Sequence, residues 1–260
     1  MTTELLPLLL AVLSGGVVAL LLTLFGGGGS VLAVPLLLYV VGVPDPHVAI
    51  GVSAAGVALN ALTALAGHAK AGRVRWPCAT LFAVTGAAGA WFGSSLAKMI
   101  DGQQLLLFFA IAMAAVGLSM LRPGAVVVRP EPRLNWAISP RIGLAGAGVG
   151  SAAGFFGIGG GFLIVPGLMA AAGMGLATAQ ATSLLSVAAF GATTAGNYAL
   201  SGWVDPALVA AMAVGGIAGT FAGLPVATRL GANAALGRRL FAGLVLIVAV
   251  YVAAKALAVL

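Results

Sequence analysis

The chain has 260 residues, of which 62% are hydrophobic and 7% charged, where an average soluble domain carries about 25% charged residues. So little charge cannot clothe a water-exposed surface, which excludes a soluble globular domain. The formal net charge is +7, but the lysines and arginines are scattered through short connections between apolar segments. That is a topology signal and not a nucleic-acid patch, so no nucleic-acid partner is expected.

Apolar segments follow one another along the chain at 5–24, 30–43, 48–67, 77–97, 104–121, 142–156, 159–173, 177–198, 206–228 and 239–258. Several approach the roughly 20 residues that a helix needs to cross a bilayer, and four are short. The fold class expected is all-α, a polytopic membrane protein of about eight to ten hydrophobic segments. Glu4 and no basic residue precede the first run, so that segment is expected to be retained and not cleaved as a signal peptide. The longest polar connection, 122–141, carries Arg122, Arg129, Glu131, Arg133 and Arg141 with four prolines. It divides the chain into a first repeat, 1–121, a linker, 122–141, and a second repeat, 142–260.

The division is a true repeat. Phe25–Pro35, FGGGGSVLAVP, matches Phe156–Pro166, FGIGGGFLIVP, and after a one-residue slip Ser53 pairs with Ser183. Gly72-Arg-Val then pairs with Gly202-Trp-Val, and Gly86, Gly89 and Gly93 with Gly216, Gly219 and Gly223. Loop charge gives the relative orientation, because short cytoplasmic loops carry the excess of Lys and Arg. Lys70, Arg73 and Arg75 put 68–76 inside, whereas the equivalent loop 199–205 holds Asp205 and no cation. Loops 122–141 and 229–239 are basic and inside, 98–103 is outside, and both termini fall on the non-cytoplasmic side. Equivalent loops face opposite sides, so the repeat is inverted, a pattern that points to secondary transport around a central site. An anion channel, or a membrane scaffold or sensor, remains an alternative.

The glycine clusters are the candidate site. Gly26, Gly27, Gly28 and Gly29, and Gly159, Gly160 and Gly161 after Gly157, disfavour continued helix by about 1 kcal/mol each. Broken backbone at membrane depth is tolerated where it is buried in protein or lines a wet cavity, and a helix restarting at Ser30 or Phe162 would offer N–H groups to an anion. The spaced pairs Gly89/Gly93, Gly219/Gly223 and Gly150/Gly154 suit close helix packing instead. All five carboxylates, Glu4, Asp45, Asp101, Glu131 and Asp205, lie at segment ends or in loops. A cation or proton pump usually buries an acid within the membrane, so an anionic substrate is favoured.

Oxyanion contacts are expected from Ser30, Ser53, Gln180, Thr182 and Ser183, with Asn60, Thr63, Ser186, Thr193 and Thr194 as further hydrogen-bonding groups, although each also suits interhelical bonding. His68, with its repeat partner Tyr198, and Asn197, Lys70 and Arg73 are candidates for coupling or gating, since histidine titrates near neutrality. His47 reads as a loop residue, Lys98 and Arg229 as interfacial side chains that snorkel, and the single cysteine, Cys78, as a packing residue. No nucleophile with a base, deep carboxylate pair or metal-ligand cluster is present in the sequence, so neither an enzyme, a metal nor a cofactor is expected. Small-residue stripes facing lipid are compatible with a homodimer.

With these residues in view, the chain resembles the TauE/SafE family, the sulfite exporter or anion permease group. The resemblance rests on the two glycine motifs ending in Val-Pro, on Ala181–Leu184 (Ala-Thr-Ser-Leu), and on the Gly67–Trp76 stretch, Gly-His-x-x-x-Gly-x-Val-x-Trp. It implies transport, often export, of sulfite, sulfoacetate or related sulfur oxyanions and organosulfonates across the bacterial inner membrane. The second-half counterpart, Gly196-Asn197-Tyr198 to Gly202-Trp203-Val204, departs from the histidine form, so a family role for a histidine transfers only to His68.

Overall fold

A computed structural model describes the backbone of residues 2–121, 138–157, 161–230 and 234–257. Among these residues the chain is helical apart from short connecting loops, with no strand. It runs as α1 (Thr2–Phe25), a 3-10 stretch (Gly26–Leu32), α2 (Ala33–Leu36) with a π stretch (Leu37–Val41), α3 (Pro46–Lys70), α4 (Trp76–Ala97) and α5 (Gly102–Leu121). The second half follows as α6 (Ser139–Phe156), α7 (Gly161–Ala172), α8 (Leu176–Ala199), α9 (Pro206–Leu230) and α10 (Ala234–Leu257). Most of the linker, 122–137, lies outside the described residues.

Leu5–Phe25, Pro46–Lys70, Leu176–Ala199 and Pro206–Val226 are each long and apolar enough to cross a membrane. Side-chain size is distributed as a lipid solvent demands. On α1, Leu5, Leu9, Leu13 and Val17 are exposed at four-residue spacing, while Ala11, Val18, Ala19 and Leu22 are buried. Large apolar groups facing hydrocarbon cost nothing there, and small ones inside, such as Ala11 and Ala19, let backbones approach.

Those close approaches are glycine contacts between the halves. A Cβ on Gly89 would overlap the Ala147 carbonyl, one on Gly150 the Gly86 backbone, and one on Gly154 the Ala90 backbone, all between α4 and α6. The repeat-equivalent pair, α9 and α1, does the same with Gly219 against Gly16 and Gly15 against Met212. Even side-chain contacts follow the repeat: a Cβ on Gly86 would strike the Phe190 ring, and one on the equivalent Gly216 the Asn60 amide. The extensive helix pairs α4 with α6, α1 with α9, α3 with α8 and α5 with α10 all join the two halves. The repeats therefore interlock.

α3 and α8 are antiparallel neighbours. Beside the start of α3 the His47 ring stacks on Trp203, just past α8, with centroids 4.7 Å apart, and beyond the end of α3 the Arg75 N–H donates to Thr182 Oγ1 near the start of α8, at 3.2 Å. The loops after α3 and after α8, equivalent in sequence, thus sit at opposite ends of the bundle, here called the His68 end and the His47 end. Both loops turn through a left-handed glycine, Gly72 at φ 67° and Gly202 at φ 73°. Helix starts at the His47 end are closed by carboxylates: Asp45 accepts the His47 N–H (2.8 Å), Asp101 that of Gln103 (2.9 Å) and Asp205 that of Ala207 (2.8 Å). An acid at an N-terminus satisfies orphan donors and complements the dipole.

Candidate functional site

Each glycine cluster ends a long helix and reverses the chain. At the first, the Gly29 backbone lies against Leu21 and Leu22 of α1, so closely that a Cβ would overlap them. The α-helix breaks there, as expected from the sequence, and the chain goes on as a 3-10 helix in which the Ala33 N–H donates to the Ser30 carbonyl. Ser30 lies inside this stretch, which begins at Gly26. Consecutive glycines tolerate the tighter 3-10 winding, which pairs donors three residues back instead of four. Gly26–Gly29 all belong to this turn.

At the second cluster α6 ends on Gly157 in the left-handed conformation, φ 67°. Gly159 and Gly160 lie outside the described residues, and Gly161 is the first residue of α7. α7 has 12 residues, about 18 Å of helix, against the roughly 30 Å of a hydrocarbon core. By its described length it is shorter than a membrane-crossing helix, and it is here called an arm.

The two arms, 26–41 and α7, pack on each other and run in opposite directions. Arm 26–41 starts beside the end of α1, where Thr23 faces Gly223, and finishes at the His47 end. The break at Gly157 lies against Ile50 and Ser53 of α3. The two breaks are displaced towards opposite ends of the bundle. Antiparallel arms in an inverted repeat require that displacement.

Ser53 is fully buried, donates to the Ile50 carbonyl at 2.9 Å and lies 3.2 Å from the Gly157 carbonyl oxygen. Its repeat partner Ser183 is equally buried and donates to the Gln180 carbonyl at 2.8 Å. Thr182 is committed to the Arg75 backbone, and Gln180 is half-buried. Ser30 is buried. Asn60 reaches the Gly15 carbonyl at 3.4 Å, and Thr63 is half-buried and bonds back to Leu59.

The gating candidates separate by end. His68 is buried against the Thr23 backbone and its Nδ1 has no partner among the described residues, while Lys70 and Arg73 are exposed on the adjoining loop. Tyr198, its repeat equivalent, is completely buried and its hydroxyl is likewise unpartnered among the described residues. Asn197 is the centre of a polar cluster. Its amide donates to Ser94 Oγ (2.7 Å), Ser95 Oγ (2.9 Å) and the Trp91 carbonyl (3.2 Å), and its own oxygens accept from Lys98.

The Lys98 ammonium donates to Asn197 Oδ1 (2.7 Å), the Asn197 carbonyl (3.0 Å) and Ser201 Oγ (3.0 Å), filling all three donor positions at the C-terminal end of α8. A cation is favoured there by the helix dipole. His47 is not a loop residue: it is the second residue of α3, and its ring lies against Trp203 and, at 6.1 Å, Tyr198. Neither contact was visible in sequence, since both cross more than 90 residues. The side chain of Arg229 lies outside the described residues.

Interlocked inverted repeats, short hairpin arms and carboxylates confined to helix ends among the described residues define a multi-pass membrane protein of the transporter class. The family described as "Sulfite exporter TauE/SafE" matches residues 11–252, and the chain belongs to that family. It is 46% identical over 246 residues, 94% of each chain, to a "Probable membrane transporter protein" from each of two strains of Xylella fastidiosa, Temecula1 and 9a5c. It is 25% identical over 183 residues, 68% of this chain and 73% of the relative, to "Probable membrane transporter protein YdhB" of Bacillus subtilis. No solved structure gives a significant match.

Proposed function

We propose that this membrane transporter is a secondary carrier, working as an exporter, of small sulfur-containing oxyanions such as sulfite or organosulfonates. The observation that carries the reading is the antiparallel pair α3 and α8, with repeat-equivalent Ser53 and Ser183 and, at Ser53, the broken end of α6 within 3.2 Å. In this reading the substrate passes between the two hairpin arms and is handed from one break to the other. Backbone N–H groups at Gly26–Gly28 and around Gly159–Gly161 meet the anion, assisted by the hydroxyls of Ser53 and Ser183.

In this reading the membrane is a bacterial inner membrane and the His68 end, with the basic residues Lys70, Arg73 and Arg75, faces the cytoplasm. The described acids Asp45, Asp101 and Asp205 then cap helices on the outer side, which is consistent with that orientation. Lys98 and Asn197 act as the outer latch. At the equivalent inner position Gly67 faces the Leu224 side chain. A carrier needs two closures that alternate, and a ligand shifts such an equilibrium only by its differential affinity for the two states. Exchange of labelled against unlabelled sulfite in proteoliposomes tests this reading: preloading speeds uptake through a carrier and not through a pore.

A further inference from the structure

A cleft of about 200 Å³ opens at the His47 end between arm 26–41, α5 and α10, and we propose that it binds the anionic head of a small amphiphile. Its polar lining is Tyr39, Gln103 and Lys255, and its apolar wall includes Leu38, Val43 and Leu106. A Cβ placed on Gly42, also in the lining, would meet nothing within 4 Å, so the space above the backbone is open.

The cleft is held in shape from below. Tyr251 and Lys255 are four residues apart on α10 and share a face; Tyr39 meets Tyr251 edge-on with centroids 5.1 Å apart. That contact fixes the arm one turn from the lysine. Lys255 lies in the last turn of α10 and makes no ion pair among the described residues. The two nearby carboxylates, Asp45 and Asp101, accept the N–H groups of His47 and Gln103, and neither lines the cleft.

One ammonium, one phenol and one carboxamide offer several hydrogen-bond donors, a set suited to the oxygens of a sulfonate or phosphate. The apolar wall would strip water from a bare inorganic ion without compensation, whereas an alkyl body gains by the same contact. The occupant is therefore an oxyanion carrying a short apolar portion, either a free alkanesulfonate or the head of an anionic phospholipid.

The test uses the full chain in nanodiscs, with the thermal midpoint and native mass spectrometry as readouts. Hexanesulfonate is titrated into discs of phosphatidylcholine alone, and phosphatidylglycerol is introduced in a second series. Saturable binding of hexanesulfonate identifies a free anion, and binding confined to phosphatidylglycerol identifies the lipid. Lys255→Gln should weaken the bound probe about tenfold, as loss of a charge-assisted hydrogen bond implies. Lys255→Arg should retain it, and Tyr39→Phe, which keeps the ring contact, should lose less. Equal binding by wild type and Lys255→Gln, or no binding of either probe to wild type, overturns the proposal. Binding is read without a gradient, so its failure leaves the transport reading to its own assay.

Discussion

Lys98 Nζ lies 2.7 Å from Asn197 Oδ1, and the bond ties α4 of the first repeat to α8 of the second. Removing the ammonium leaves Asn197 Oδ1, 3% exposed as a residue, without its donor. Lys98→Met should therefore lower stability by about 2 kcal/mol, the scale of a charge-assisted bond plus an orphaned acceptor. It should also open the His47 end. Thermal unfolding checks the first, and faster thiol labelling of a cysteine introduced at Ala97, fully buried in the wild type, checks the second.

Glycines at the interlocked pairs and glycines facing free space should respond oppositely to the same methyl group. Gly89→Ala and Gly219→Ala each drive a Cβ into a backbone carbonyl of the facing helix, and overpacking against rigid backbone should cost about 3 kcal/mol each. Gly148→Ala, with nothing within 4 Å, should stabilise α6 by about 0.5–1 kcal/mol from helix propensity alone. Denaturation in detergent ranks the three variants. Equal effects would remove the interlocking argument.

Tyr198 offers a second contrast. Its hydroxyl is buried and unpartnered among the described residues, so Tyr198→Phe should leave stability unchanged or raise it by up to about 1 kcal/mol. Flux should nevertheless fall, if the hydroxyl serves a passing anion. A variant equal to wild type in both measurements would make Tyr198 a packing residue.

At the other end, His68→Ala should abolish the response of sulfite flux to an imposed proton gradient while leaving counterflow measurable. Its imidazole is the described titratable ring buried beside the cytoplasmic loop in the proposed orientation. Gradient-independent flux in wild type would separate transport from proton coupling.

Much of this architecture is legible in the sequence because a bilayer reduces the choices. Segment positions, the 131-residue recurrence of the Val-Pro motifs and the packing role of Gly89, Gly219 and Gly150 all follow from composition, spacing and the need to bury backbone polar groups. The hairpin geometry does not follow. Four glycines permit an unwound loop or a 3-10 turn equally, and the choice at Gly26–Gly29 is made by the fit of Gly29 against Leu21 and Leu22. The displacement of the two breaks depends on the arms lying antiparallel, a tertiary fact. The Lys98 bond is hidden because its partner Asn197 is 99 residues away, and His47 looked like a turn because Pro46 and Asp45 beside it also serve as helix-start signals.

In the proposed mechanism the repeat-related serines of α3 and α8, Ser53 and Ser183, sit on one anion path. The most direct measurement is counterflow of radiolabelled sulfite in proteoliposomes, comparing wild type with Ser53→Ala, Ser183→Ala and the double variant, after each is shown to keep its thermal midpoint. The account predicts preloading-dependent exchange in wild type, a fall of about tenfold in each single variant, on the scale of one lost charge-assisted hydrogen bond, and near-complete loss in the double. Wild-type rates in the double variant, or wild-type flux indifferent to preloading, would contradict it.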